Sequence, residues 1–407
     1  VLKYANPIGY AGENINKIKT LLERSKIINN VNFEDIKSFF IIGHTRWASI
    51  GEVNLSNCHP FINCHKNTNS FFYMNGDILN HDQLTSEIKD NDNFSIIEEE
   101  IIELQYGQVI VEVIWLSLDP YMRGRMSAAK SYALPIEIGE VITGGAVGKI
   151  IESKCPKFNV GDIIEGFTIG WQKYAKINTN NIRKIDPSLA PIQTSVGVLG
   201  MPGMTAYFGL FEICKPIPGD TVVVSAASGA VGQLVGQLAK LSNCKVVGIA
   251  GNKKKCEYLI NELNFDHVIN YKEQNVFKKI KETCPEGVNV YFDNVGGKIA
   301  DDVISNIAPF ARIGVCGVIS QYNLTQAELG QRVQRAILTN QASIEGFLVF
   351  RFEQRYNIAI KKMSKWLQEG KIIWKEDIVE GIENAPKAFI GLMKGENFGK
   401  LLVKVKL

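Results

Sequence analysis

Thr221-Val222-Val223-Val224-Ser225-Ala226-Ala227-Ser228-Gly229-Ala230-Val231-Gly232-Gln233-Leu234-Val235-Gly236 decides the reading of this 407-residue chain. Thr221 to Val224 is an unbroken β-branched run, the pattern of a strand buried in a parallel sheet. Gly232 to Leu241 reads as a helix, and the turn between them carries Gly229 and Gly232. Without a Cβ at those positions the main chain can approach a pyrophosphate, whose charge would meet the positive end of the helix dipole. Gly236, one turn further in, permits close packing of helix on sheet. A glycine triplet alone is weak, since a structural turn uses the same residues. Here the strand before it and the helix after it supply the context of a dinucleotide-binding turn.

Outward from this turn, strands and helices alternate. Strands are expected at Lys245 to Ile249, His267 to Ile269, Val288 to Phe292 and Arg312 to Val315, with a helix at Lys253 to Leu263. Repeated units of this length predict a doubly wound parallel sheet of Rossmann type, within an α/β fold class. Upstream the texture differs: Val109 to Val113, Glu140 to Ile151 and Asp162 to Phe167 read as strands of a compact β-rich unit. Before residue 100 the chain is rich in Asn, with a helix ending over Leu21 to Lys26 and apolar runs at Phe39 to Ile42 and Phe71 to Met74. The acidic run Glu98-Glu99-Glu100 marks a junction. Up to Leu104 there are 9 Lys and Arg against 14 Asp and Glu, a net of −5; the remainder carries 36 against 28, a net of +8. That contrast points to two units of different origin.

The second strand of the sheet bears on which dinucleotide is taken. An NAD site places Asp or Glu about 20 residues beyond the glycines to hold the ribose hydroxyls. Gly248-Ile249-Ala250-Gly251-Asn252-Lys253-Lys254-Lys255 carries no carboxylate and three lysines. Cations are misplaced at a helix start on dipole grounds unless an anion binds there, which favours NADP with its extra phosphate. The net charge of +3 is too small for a nucleic-acid binder, and no apolar run approaches the roughly 18 residues that span a bilayer. Eight scattered cysteines without a Cys-x-x-Cys pair suit reduced thiols in a cytoplasmic setting. Cys58-His59 with Cys64-His65 is the one cluster hinting at metal spacing, and it fits zinc rules poorly. After His81 the only histidine is His267, and residues 105–200 hold only Cys155, so no metal site is expected there.

From about Gln105 onward the chain resembles the zinc-independent medium-chain dehydrogenases/reductases, in the NADP-dependent prostaglandin reductase and alkenal double-bond reductase group. The segments carrying the resemblance are Leu118-Asp119-Pro120-Tyr121-Met122-Arg123, Gly200-Met201-Pro202-Gly203-Met204-Thr205-Ala206-Tyr207, the glycine turn, Tyr291-Phe292-Asp293-Asn294-Val295-Gly296-Gly297 and Asn397-Phe398-Gly399-Lys400. The resemblance implies a β-rich, GroES-like substrate domain over 105–200, with 341–407 returning to it, and an NADP-binding domain over 201–340. It implies hydride transfer to the β-carbon of an α,β-unsaturated aldehyde or ketone. Gly229, Ala230, Val231 and Gly232 would contact the pyrophosphate, Lys255 the 2′-phosphate and Tyr271 the adenosine side. Asn294, Cys316, Gly317, Ser320 and Tyr322 would line the nicotinamide half; Phe347, Val349 and Asn397 would close the site. Tyr322 is the leading donor to the developing enolate oxygen, and Tyr121 a candidate lining residue of the substrate site. For each tyrosine the alternative is packing with a satisfied hydroxyl. A homodimer is implied only by the family. Because the strands that usually precede Leu118 are largely replaced here, the substrate-domain sheet is expected to lack edge strands.

Residues 1–104 carry their own resemblance. Gly43-His44-Thr45-Arg46-Trp47-Ala48, Asn57-Cys58-His59-Pro60 and Met74-Asn75-Gly76-Asp77 are similar to the α+β glutaminase domain of class II amidotransferases, of the glutamine–fructose-6-phosphate transaminase type. The likeness implies that Arg46 grips a glutamine carboxylate and that Asn75 and Gly76 form an oxyanion hole. That chemistry needs an N-terminal cysteine activated by its own α-amine. Val1 stands first and no cysteine precedes Cys58, so a truncated, inactive fragment is expected. The competing readings are quinone reduction by the same hydride chemistry, an amidotransferase whose cysteine lies upstream, and an NADP-binding protein without catalysis.

Overall fold

In the computed structural model the described residues are 61–65, 68–72, 94–98, 103–127, 132–137, 139–324, 326 and 328–405. The expected helix end at Leu21 to Lys26, the run Phe39 to Ile42, and Arg46, Cys58, Asn75 and Gly76 lie outside them. The chain divides into two units, residues 1–79 and 80–407. In the first, β1 (Phe61–His65) and β2 (Thr68–Phe72) form an antiparallel hairpin, with Phe61 opposite Phe72 and His65 opposite Thr68.

The second unit opens with β3 (Gln108–Ser117), α1 (Tyr121–Arg125), β4 (Ala146–Ser153), β5 (Ile163–Gly166), β6 (Tyr174–Asn178) and β7 (Ile182–Lys184). Then come α2 (Met201–Phe208), β8 (Thr221–Val224), α3 (Gly232–Leu241), β9 (Lys245–Ala250), α4 (Lys253–Asn261), β10 (His267–Asn270) and α5 (Val276–Thr283). They are followed by β11 (Val288–Asp293), α6 (Gly297–Ile304), β12 (Ile307–Val315), α7 (Gln334–Thr339) and β13 (Ser343–Gly346). The chain ends through α8 (Tyr356–Gln368), β14 (Glu376–Glu380), α9 (Ala385–Met393) and β15 (Lys400–Lys404).

Two sheets result. One is wholly parallel, in the order β10-β9-β8-β11-β12-β13. Its central strands are apolar on both faces: Val222, Val223 and Val224 are all fully buried, as helices covering both sides of a parallel sheet require. This is the doubly wound α/β sheet expected from the glycine stretch. The strand order reverses between β8 and β11, which opens a crevice at their carboxyl ends.

The other sheet runs β14-β15-β3-β4-β5-β7, with β6 also paired to β3. β3 buries Val109, Val111 and Val113 at alternate positions, the period of a strand with one face in a core. Its first half pairs with β6 and its last three residues with β15, while β4 covers the opposite side. The sheet was expected to lack edge strands; β14 and β7 stand at its ends, and β3 itself is hydrogen-bonded along both sides. The C-terminal strand, returning from the far end of the chain, supplies part of that pairing.

One strand boundary differs from expectation. Glu140 to Ile151 does not run as one strand; β4 begins at Ala146. The backbone before it is spent elsewhere, the Ile142, Gly144 and Gly145 carbonyls accepting from Trp171, Gly170 and Ser117. A Cβ on Gly144 would lie 2.4 Å from the Met122 methyl carbon, so the end of that side chain would have to shift.

Candidate active site

Ala226, at φ +47, turns the chain sharply after β8 and leads into the Gly229–Gly232 corner. A Cβ on Gly232 would lie 2.4 Å from the Ala226 carbonyl oxygen, and one on Gly229 would lie 3.2 Å from it. The corner therefore exists only as bare main chain. α3 starts directly behind it with no side-chain cap, its Gln233 and Leu234 N–H groups bonded to the Gly229 and Val231 carbonyls, so the corner offers an anion the positive end of the helix dipole. Gly236 makes a different contact from the one expected. Its missing Cβ makes room for the Phe265 ring, whose Cζ would be 1.9 Å away, and the same ring lies against Gly248 of β9. Helix and sheet come close through an aromatic wedge between two glycines.

The C-terminal segment folds over this corner. The Gly399 N–H donates to the Ser228 carbonyl at 3.1 Å, and Gly229 and Gly399 form an isolated parallel bridge. Gly399 has φ +86, and a Cβ there would strike the Lys375 carbonyl oxygen at 2.1 Å. Asn397 is held by its own Nδ2 donating to the Gly399 carbonyl at 2.9 Å. Phe398 presents its ring edge-on to Tyr258 at 5.1 Å.

At the end of β9 the Asn252 side chain caps α4, accepting from the Lys255 N–H at 2.9 Å. Lys253 and Lys254 point to solvent, whereas Lys255 is only 7% exposed and donates from Nζ to the Gly395 carbonyl at 2.7 Å. Burial pushes the Lys255 ammonium below the usual lysine range, and the nearby Lys272 pushes it further. Two cations gathered beside Tyr271, whose ring covers Gly251, make a place for an anion. Sequence reasoning named Lys255 and Tyr271 but missed Lys272, whose only signal is that it follows Tyr271.

At the carboxyl ends of β8 and β11 a buried network shapes the turn after β11. The Asp293 Oδ1 accepts from the Tyr291 hydroxyl at 2.8 Å, the Ser225 hydroxyl at 3.1 Å and the Val295 and Gly296 N–H groups at 2.9 Å each. Asn294 donates from its backbone N–H to Ser225 Oγ at 2.9 Å and from Nδ2 to the Ser225 carbonyl at 2.8 Å. The Cys316 and Gly317 N–H groups both donate to the Asp293 carbonyl. Ser320 donates from Oγ to the Val295 carbonyl at 2.7 Å. Tyr322 accepts from the Val318 N–H at 3.4 Å, and its hydroxyl lies 3.4 Å from where a Gly317 Cβ would be. Burial raises the Tyr322 pKa, and burial with Asp293 and Cys214 nearby pushes the Cys316 thiol up to about 12. Both stay protonated at neutral pH.

Facing this crevice, Tyr121 begins α1. Its hydroxyl is buried beside the Gly145 backbone, and its ring leans on Phe167 at 5.6 Å. Burial, then the Asp119 charge, raises its pKa well above the usual phenol value. Arg123 of the same helix donates from Nε to Asn323 Oδ1 at 2.8 Å, drawing the Tyr121 and Tyr322 segments together. Tyr132, missed in the sequence, joins them: it is 58% exposed overall, yet desolvation and then Tyr322 raise its pKa. Phe347 and Val349 are instead buried in the core of the parallel-sheet layer, where the Phe347 ring meets Phe292 edge-on at 6.1 Å. Among the described residues no group of three or more His, Cys, Asp or Glu could hold a metal ion, and no helix is long and apolar enough to cross a membrane.

A parallel sheet with a bare anion-binding corner at its switch point, joined to an antiparallel sheet that brings tyrosines to the same crevice, defines a dinucleotide-binding oxidoreductase fold. Residues 81–185 match the family described as the N-terminal domain of oxidoreductase, residues 230–365 the zinc-binding dehydrogenases, and residues 19–93 the class-II glutamine amidotransferases. A 2-alkenal reductase (NADP(+)-dependent) of Nicotiana tabacum is 46% identical over 302 residues, covering 74% of this chain and 88% of that protein. Prostaglandin reductase 1 of Bos taurus is 40% identical, covering 77% and 94%. The crystal structure of CurA in complex with NADPH from Vibrio vulnificus superposes with a TM-score of 0.74 at 41% identity, over 78% of this chain and 96% of that one. The chain belongs to the medium-chain dehydrogenases/reductases, in the group of alkenal and prostaglandin reductases.

Proposed function

We propose that the protein reduces the carbon–carbon double bond of α,β-unsaturated aldehydes and ketones at the expense of NADPH. The observation that carries this reading is the 46% identity to a 2-alkenal reductase across 88% of that enzyme, on a chain whose own glycine corner and buried lysine suit the nucleotide. Bound NADPH supplies the hydride. Gly229, Ala230, Val231 and Gly232 hold the pyrophosphate against the start of α3, Lys255 with Lys272 takes the 2′-phosphate, and Tyr271 flanks the adenosine. Asn294, Cys316, Gly317 and Ser320 line the nicotinamide half. Asn397 closes the site from above, and Phe347 and Val349 support it from the core. As negative charge grows on the substrate carbonyl oxygen, the Tyr322 hydroxyl, kept protonated by burial, donates to it. Tyr121 lines the substrate side with its buried hydroxyl.

In this reading residues 105–200 form the substrate domain, with β14 and β15 returning to it, and 201–340 the nucleotide domain, while 1–104 is an amidotransferase-like fragment. The expected return of all of 341–407 to the substrate domain is corrected by β13, which extends the parallel sheet, and by Phe347 and Val349, which pack in its core. A homodimer is supported by β13, a sheet edge whose four residues are all exposed. A cytoplasmic setting is supported by the six unpaired cysteines among the described residues. The test is consumption of NADPH absorbance with a medium-chain alkenal or enone, with formation of the saturated carbonyl. Turnover with quinones alone would replace this reading by quinone reduction, and glutamate release from glutamine would assign the N-terminal unit an activity of its own.

A further inference from the structure

A cavity of about 410 Å³, lined in part by Phe167, is left unused by the proposed chemistry. Phe167, Met201, Met204, Phe350 and Ile360 make its walls apolar. The Phe167 ring touches both Tyr121, at 5.6 Å, and Phe350, at 5.7 Å, so the cavity adjoins the substrate side of the crevice. Asn180, Asn181 and Thr168 add neutral polar groups to the lining, and the four remaining polar side chains are unequal. Glu165 and Arg183 neutralise one another, with Nε donating to Oε2 at 2.8 Å, and the Arg183 Nη2 is tied to the Leu199 carbonyl at 3.1 Å. Glu353 is left as the uncompensated charge of the lining. The arginines on either side of it are engaged elsewhere, Arg351 with Glu345 and Arg355 with Glu212. The Tyr356 hydroxyl is buried and has no hydrogen-bond partner among the described residues. A buried hydroxyl without a partner is costly unless something arrives to accept from it.

We propose that this cavity receives the end of the enone remote from its double bond and selects an uncharged tail bearing a hydrogen-bond acceptor over a tail ending in a carboxylate. The inference rests on the enone-reductase reading and deepens it. Apolar walls favour the body of such a tail, Tyr356 donates to its acceptor, and Glu353 repels an anion. Thr168, exposed at the rim, marks where the cavity can be filled without disturbing the core.

The experiment compares kcat/KM for three enones: one with no tail, and two of equal length ending in a hydroxyl or a carboxylate. The wild-type protein should prefer the hydroxyl tail over the carboxylate by about threefold, the size expected of one like-charge contact with an exposed carboxylate such as Glu353. Tyr356→Phe should cost the hydroxyl-tailed enone about fivefold, the worth of one hydrogen bond. Glu353→Gln should raise kcat/KM for the carboxylate tail severalfold, and Thr168→Trp should lower the tailed-to-untailed ratio about tenfold. A wild-type preference for the carboxylate, or an unchanged tailed-to-untailed ratio in Thr168→Trp, overturns the inference. Reduction of the untailed enone without tail discrimination would sink this inference alone, whereas no reduction of any enone would sink the reading beneath it as well.

Discussion

Lys253, Lys254 and Lys255 open the same helix, yet only Lys255 leaves solvent, and its ammonium rests on a backbone carbonyl beside a second lysine. An anion held there would be worth more than one on the helix surface, because charge-assisted hydrogen bonds strengthen with burial. Lys255→Ala should therefore weaken NADPH binding by roughly 10- to 100-fold and leave NADH within about twofold, as calorimetry would show. The sign of the pH dependence follows from the same residue. With its pKa held below the ordinary lysine value of 10.5, Lys255 loses its charge earlier as pH rises. The preference for NADPH over NADH should thus fall with rising pH, starting below the range of an exposed lysine, and the fall should be absent in Lys255→Ala. Tyr322 is tested by removing one oxygen. Tyr322→Phe should lower kcat by about 100-fold while NADPH affinity stays within twofold, since the hydroxyl acts on charge that develops during reaction.

Among the elements, the packing of α3 on β9 through Phe265 has the most direct consequence. Both glycines that receive the ring are needed, Gly236 on the helix and Gly248 on the strand. Gly236→Leu would force the ring out of a filled space and should lower stability by about 1–3 kcal/mol, read as a drop in Tm. Pairing it with Phe265→Ala should restore part of that loss, a coupling that two independent destabilisations would not show. The sequence called for a glycine at 236 from motif spacing, but which atoms fill the space was not visible there. Phe265 lies 29 positions away, at the start of the next strand unit, and no local pattern links the two. The opposite case is Gly144, which reads as part of a strand because Ile142 and Val147 flank it. Its backbone neighbours are instead used by a loop more than twenty residues on.

Across the whole second unit, polar pairs distant in sequence fix where returning segments lie. Lys400, 3% exposed, donates to Asp119 Oδ1 at 2.7 Å and to the Leu118 carbonyl at 2.9 Å, while Ser117 donates to the same carboxylate. The next residue toward the N-terminus, Gly399, holds the nucleotide corner. Lys400→Met leaves the buried Asp119 with the Ser117 hydroxyl but no cation and should cost about 3–5 kcal/mol by denaturant unfolding, whereas the double change with Asp119→Leu should recover much of it. What the sequence determined by itself was everything that neighbours in the chain decide. Runs of β-branched residues, the spacing of Gly229 and Gly232 and the missing carboxylate after β9 specified the parallel sheet, the anion corner and the kind of nucleotide, because backbone geometry and periodic burial are local properties. The tertiary structure alone decided that Lys400 meets Asp119 across 281 positions, that Arg123 meets Asn323 across 200, that Lys272 stands beside Lys255, and that the returning C-terminal strand completes the pairing of β3. Such contacts depend on where a distant segment comes back to. Many sequences with the same local pattern could return elsewhere, and only the packed core selects among them.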